Sequence, residues 1–251
     1  MTFIVAVRYF LIVGAAWIYL YSSTPASWKS RQIYEKLPGR DIQVFEIKTS
    51  LVSSAIFGVS GALLGVLWEL GWARFYLKFD AYGLSYLFLS ILLIAVLHEI
   101  YFYLTHRLLH EPWAFRRFHA VHHKSLEPSP WASFSFHPVE AVIQAAAIPL
   151  IVLIVPVHPV VLIAYLSLMT FSAIINHLGF EILPKGPIGS HMAKWLITGT
   201  HHARHHRFYK SNFGLYFTVC DRIFGTEYVA KAASRVTATF AGTPTSSGSS
   251  Q

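Results

Sequence analysis

LSYLFLSILLIAVLHEIYFYLTHRLLH, residues Leu84 to His110, sets an apolar run directly in front of two histidines four positions apart. A helix over about Leu84–Leu104 supplies roughly the 20 apolar residues that cross the hydrocarbon core of a bilayer. It runs straight into His106 and His110, whose side chains are neighbours on one helical face. A membrane-spanning helix that delivers paired imidazoles to its own exit point is the pattern around which the rest of the chain is read.

Apolar stretches recur on either side. The first candidate span covers about Phe3 to Tyr21, and a polar stretch, Ser22 to Ser50, follows with Lys29, Arg31, Lys36, Arg40 and Lys48. The second span covers about Leu51 to Trp72 and leads into a short connection holding Arg74 and Lys78. From Val139 to Ile175 the chain is apolar again but interrupted by Pro156 and Pro159, which suits a helical hairpin over about 139–176. With 54% hydrophobic and 13% charged residues, the chain is far from the composition of a soluble globule. Arg8 inside the first run argues for a retained first helix in place of a cleaved signal. Lys and Arg number five after the first span and two after the second, so the first loop is expected on the cytoplasmic side. Alternating from there puts every clustered histidine in the cytoplasm.

The formal charge of +8 does not point to nucleic acid, because the basic residues are scattered among loops with no long run and no nucleic-acid module. The single cysteine, Cys220, excludes an intramolecular disulfide framework and any Cys-rich metal site. A tail from about Ala232, rich in Ser, Thr, Gly and Ala, lacks apolar periodicity and is expected to be disordered.

The chain has 14 histidines. His106 and His110 form one cluster; His119, His122 and His123 form H-x-x-H-H, again expected on one helical face. His202, His205 and His206 repeat that pattern, with His201 in front. Imidazole suits Zn, Fe, Cu and Ni, and a pair three or four apart can hold one ion from a single helix. The clusters offer more ligands than one four- to six-coordinate ion needs, so two metals are expected. The adjacent pairs His122/His123 and His205/His206 can then turn one ring toward each. His158, between its two prolines, and His191 are read as ordinary structural residues.

With those residues in view, the chain resembles the fatty acid hydroxylase/sterol desaturase superfamily. The likeness lies in LHEIYFYLTHRLLH from Leu97, HAVHH from His119 and HHARHH from His201. It continues in SPWASFSFHPVE (Ser129–Glu140), NHLGFE (Asn176–Glu181), NFGLYF (Asn212–Phe217) and DRIFGT (Asp221–Thr226), and it favours the C-5 sterol desaturase branch. The resemblance implies an all-α integral membrane protein with about four transmembrane helices, arranged as two plus a hairpin pair or three plus a hairpin. A cytoplasmic helical cap would carry the histidine boxes. It divides the chain into N-terminal membrane helices (1–96), a catalytic region (97–229) and the tail (230–251). It further implies a non-haem di-iron centre and adds His177 to the ligands His106, His110, His119, His122, His123, His202, His205 and His206. His137 and His201 rank below these. His98 stands where many relatives carry an acidic residue, so Glu99 is expected to support the ligands from behind.

Breaking an unactivated C–H bond requires O2 activated at reduced metal, with the protein positioning the substrate. No G-x-G-x-x-G fingerprint or appended haem-binding domain is apparent, so electrons are expected from a separate ferredoxin or cytochrome b5-like protein. The expected activity is O2-dependent hydroxylation or desaturation of a sterol-like, fatty-acyl or carotenoid lipid. A metal transporter or metal store is the competing reading; it would place ligands near the bilayer midplane. A metal-free membrane scaffold leaves the repeated spacings unexplained.

Overall fold

Helix α1 (Thr2–Trp17) is apolar apart from Thr2 and Arg8, as suits a helix in lipid, and widens into a π-helical turn at Ile18–Ser22. Tyr9 and Val13 are its buried residues, and it lies against α2 (Arg40–Glu69). The two helices meet closely where Gly58 of α2 faces Thr2, because a Cβ at position 58 would collide with the Thr2 backbone. The computed structural model describes residues 1–228, so the expected disordered tail lies outside the described residues.

The polar stretch Ser22–Ser50 is not a loop throughout. Helix α2 begins at Arg40 and, at 30 residues, extends about 45 Å, well beyond the thickness of a bilayer core. One face of its first turns, with Glu46, Thr49 and Ser50, packs on protein, while Arg40, Asp41 and Lys48 are exposed. Glu46, fully buried, accepts hydrogen bonds from the backbone N–H and hydroxyl of Ser129. Thr49 bonds the Ser135 hydroxyl at 2.6 Å and Ser50 donates to the Trp131 carbonyl at 2.8 Å. Hydropathy alone could not register this part of the helix, because its partners are hydroxyls and carbonyls of the Ser129–Ser135 segment.

Helix α3 (Leu84–Leu109) carries the opening sequence, with His110 as its C-cap. The hairpin follows as α4 (Pro138–Val152) and α5 (Pro159–His177). Each arm starts at a His-Pro pair. Proline at the first helical position needs no hydrogen-bond partner for its nitrogen, and the Nδ1 atoms of His137 and His158 accept from the N–H groups of Val139 and Val160. At the hairpin tip, Arg74 exchanges backbone bonds with Val152 and Val157, and His158 bonds the Leu77 carbonyl and stacks on Phe79. His158 is therefore structural and lies at the end opposite the histidine clusters. His191 is exposed.

Four helical segments are long and apolar enough to cross a membrane: Thr2–Ser22, α2, α3 and α5. Helix α4, 15 residues long, is too short to span, so the arrangement is three spans plus a hairpin with one short arm. Large apolar side chains such as Phe3, Leu11, Val59, Leu84, Phe88 and Ile163 are more than 60% exposed, which only a lipid surround makes stable. One apolar core joins α3, α4 and α5 near the hairpin tip, around Ile94, Ile151, Val152, Val161 and Tyr165. A second joins α1 to the cap through Tyr9, Val13, Phe134, Ile174 and Phe180. Among the described residues there is no β-strand, only isolated bridges.

Candidate metal centre

His106 and His110 sit on the last turn of α3 and at its cap, while His177 is the last residue of α5. The H-x-x-H-H motif does not form the single helical face its spacing suggested. His119 closes a π-helical turn, Phe115–His119, and His122 and His123 open a separate 3-10 turn. Helix α6 (Gly199–Phe208) contributes His202, His205 and His206, all buried. Its N-terminus is tied down by Glu181, which accepts from the Thr198 and Thr200 hydroxyls at 2.8 and 2.6 Å and from the Thr200 N–H. Burial alone would raise the Glu181 carboxyl, but these hydrogen bonds outweigh it and hold the group below its ordinary range. A carboxylate at a helix N-terminus also suits the helix dipole.

These segments bring the histidines into two sets, each with its ligand atoms within 4.8 Å of one another. His106, His110, His119, His123 and His205 form one set, and His122, His177, His202 and His206 the other. The adjacent pairs are divided: His122 parts from His123, and His205 from His206.

The ring orientations carry the chemical meaning. Nδ1 of His106 faces the Phe213 carbonyl at 2.9 Å, His122 that of Ser135 at 3.2 Å, His177 that of Ala173 at 2.7 Å and His205 that of Ser211 at 2.8 Å. Each carbonyl accepts the Nδ1 proton, leaving Nε2 with a bare lone pair. Nδ1 of His119 lies 2.8 Å from the Glu140 carboxyl, with both side chains 1% exposed. The Nε2 atoms then converge: His110–His123 and His123–His205 at 3.2 Å, His177–His202 at 2.9 Å, His202–His206 at 3.1 Å and His122–His177 at 3.5 Å. Two bare lone pairs repel at such distances. Ligands about 2.1 Å from a shared ion, at right or tetrahedral angles, lie ~3.0–3.4 Å apart, so the geometry fits a cation in each set.

Charge state agrees. Burial, and then the neighbouring imidazoles, hold His119, His122, His123, His202, His205 and His206 well below the ordinary histidine range, and His110 falls to about 2 by burial and the nearby His106. Neutral rings are what a metal requires.

The remaining candidates stand apart from both sets. His137 caps α4, and the His201 ring pairs with the Thr198 hydroxyl at 3.0 Å. His98 bonds Tyr165 within the membrane region. Glu99 accepts the N–H groups of Leu215, Tyr216 and Phe217, and Asp221 those of Phe213 and Gly214. Both carboxylates thereby hold the loop whose Phe213 carbonyl orients His106. Residue 214 has to be glycine, since a Cβ would press on Phe217 and on both carboxylates. Glu140 went unrecognised in the sequence. Its one available signal is a lone carboxylate in the first turn of an otherwise apolar hairpin.

The fatty acid hydroxylase family profile matches residues 91–226, more than half of the 251-residue chain. The chain belongs to the fatty acid hydroxylase family. Within it, this member is 30% identical over 156 residues to the Delta(7)-sterol 5(6)-desaturase ERG3B of Gibberella zeae, covering 62% of the chain and 47% of that protein. It is 34% identical over 146 residues to human lathosterol oxidase, covering 58% and 47%. To the putative Delta(7)-sterol-C5(6)-desaturase 2 of Arabidopsis thaliana it is 30% identical over 203 residues, covering 79% and 69%. These likenesses place the family member in the sterol desaturase branch. The chain spans about half the length of the first two relatives. No solved structure matches it.

Proposed function

We propose that this family member is a membrane-bound di-iron oxygenase that uses O2 and external electrons to hydroxylate or desaturate a lipid. The observation that carries the reading is the division of the histidines into sets of five and four with their Nε2 atoms converging. Two iron ions so held would supply the O2 activation that cleavage of an unactivated C–H bond demands. The chain's own residues do the rest. Carbonyls fix the ring tautomers, and α6, pinned by Glu181, carries ligands to both sets. The buried setting keeps bulk water from the centre.

The relatives' names make a sterol-like lipid the first substrate class to test, with fatty-acyl and carotenoid lipids after it. We assign the histidine end of the bundle to the cytoplasm on the loop charges, where a ferredoxin or cytochrome b5-like donor can reach it. The transporter reading predicts ligands strung along a path through the bilayer. Convergence of both sets at one end of α3 and α5 favours the enzyme.

Lipid profiling of cells with and without the protein tests the activity. Gain of one oxygen or loss of two hydrogens in a membrane lipid is expected, abolished by His122→Ala or His205→Ala with cellular metal flux unchanged. Altered metal flux with an unchanged lipid profile would favour transport.

A further inference from the structure

Glu46 is fully buried, takes part in no ion pair among the described residues and belongs to neither histidine set. Burying a carboxylate without a cation beside it is costly, and both of its oxygens are committed to a single residue. Oε1 accepts the Ser129 N–H at 3.2 Å, and Oε2 accepts the Ser129 hydroxyl. The Ser129 oxygen in turn accepts the N–H of Trp131 at 3.3 Å.

Ser129 caps the 3-10 turn Pro130–Phe134, and Ser135 closes it. Three residues of α2 that share one helical face, Glu46, Thr49 and Ser50, meet this turn along its length. Ser50 and, from α1, Tyr9 donate to the Trp131 carbonyl at 2.8 and 2.6 Å. The Thr49 proton goes to the Phe45 carbonyl at 2.9 Å, so at the far end of the turn the Ser135 hydroxyl donates to Thr49. The Ser135 carbonyl then accepts from Nδ1 of His122 at 3.2 Å, which leaves Nε2 of that ring bare. The chain from His122 to Ser135 is thus a loop closed by the ring it orients, and Glu46 staples it to α2 at Ser129.

Resting on the reading of the four-histidine set as a metal site, we propose that Glu46 is a positioning residue for His122. By fixing Ser129 it fixes the turn whose last carbonyl keeps the His122 proton on Nδ1. The task calls for a carboxylate of this length. Ser129 presents two protons, one from nitrogen and one from oxygen, and an amide at position 46 has a single acceptor oxygen to meet them. An aspartate falls a methylene short. Since α2 crosses the membrane, the staple also ties the orientation of His122 to the seating of a membrane helix.

The test is solid-state 15N NMR of the metal-free, histidine-labelled chain in lipid nanodiscs, with the His122 signals identified by their loss in His122→Asn. Wild-type His122 should hold one tautomer, protonated at Nδ1. Glu46→Gln keeps the size of the side chain and should lower that preference about fivefold, the value of one hydrogen bond. Ser129→Ala removes the other end of the same bond and carries the same expectation, so the outcome does not depend on one variant folding. Combined, the two substitutions should cost little more than either alone. With metal added, each should weaken the four-histidine set about tenfold and leave the five-histidine set unchanged. A lower melting temperature with the His122 tautomer unchanged would make Glu46 a purely structural residue and overturn the proposal, as would fully additive effects of the two substitutions. The tautomer is read without metal, so a chain that binds none refutes the metal reading while the NMR still decides what Glu46 does to His122.

Discussion

Glu140 is the residue through which the candidate metal centre reaches into the hairpin. Its carboxyl lies 2.8 Å from Nδ1 of His119, and removing a partner of that kind from a metal-binding ring typically weakens metal affinity 10–100-fold. Glu140→Gln is therefore expected to weaken binding at the five-histidine set by about that factor, measured by chelator competition. The four-histidine set, which contains no partner of Glu140, should keep its affinity. His137→Ala should leave both affinities intact, because His137 only caps α4; the expected cost is about 1 kcal/mol of stability in a thermal melt. The spacing of the histidines made eight of the nine converging rings legible, because three- and four-residue intervals survive as neighbours even when the local helix is π or 3-10. His177 stands alone on α5 with no such interval, and only the family likeness drew attention to it. Glu140 was not legible because its partner lies in a different element and its spacing has no period.

At the scale of elements, the site rests on parts that look unremarkable in sequence. Glu99 holds three consecutive backbone N–H groups of the loop whose Phe213 carbonyl orients His106. Glu99→Ala would leave buried donors unpaired at about 1–3 kcal/mol, and the loop should loosen. The expected outcome is a lower melting temperature together with weaker metal binding at the five-histidine set; a drop in melting temperature with metal binding unchanged would mean the loop does not orient His106. The spans were legible because lipid-facing helices must be apolar throughout. The first turns of α2 were not, since burial against hydroxyls and carbonyls of the Ser129–Ser135 segment leaves no hydropathic trace. The short arm α4 was hidden inside one long apolar run, where only the position of the prolines marks its end.

For the whole molecule, crowding neutral imidazoles in one buried place ties stability to pH. Unfolded histidines take up protons near pH 6.5, whereas the buried ones resist. The unfolded state thus binds more protons below that pH, and the stability of the metal-free protein should fall steadily as pH drops from about 7 to 5. Melting curves across that range, with and without metal, check the sign; stability rising on acidification would contradict it. Topology is tested by cysteine labelling after Cys220→Ser. Lys78→Cys should react with an impermeant maleimide in intact cells, and Lys124→Cys only after permeabilisation.

The measurement that bears most directly on the centre is the metal content of the purified chain, with O2 uptake followed on addition of a reductant. Two irons per chain are expected, with His123→Ala and His122→Ala each weakening a different one, and O2 consumed only by the iron-loaded protein. A single metal per chain, or stoichiometric zinc with no O2 uptake under any donor, would contradict the account.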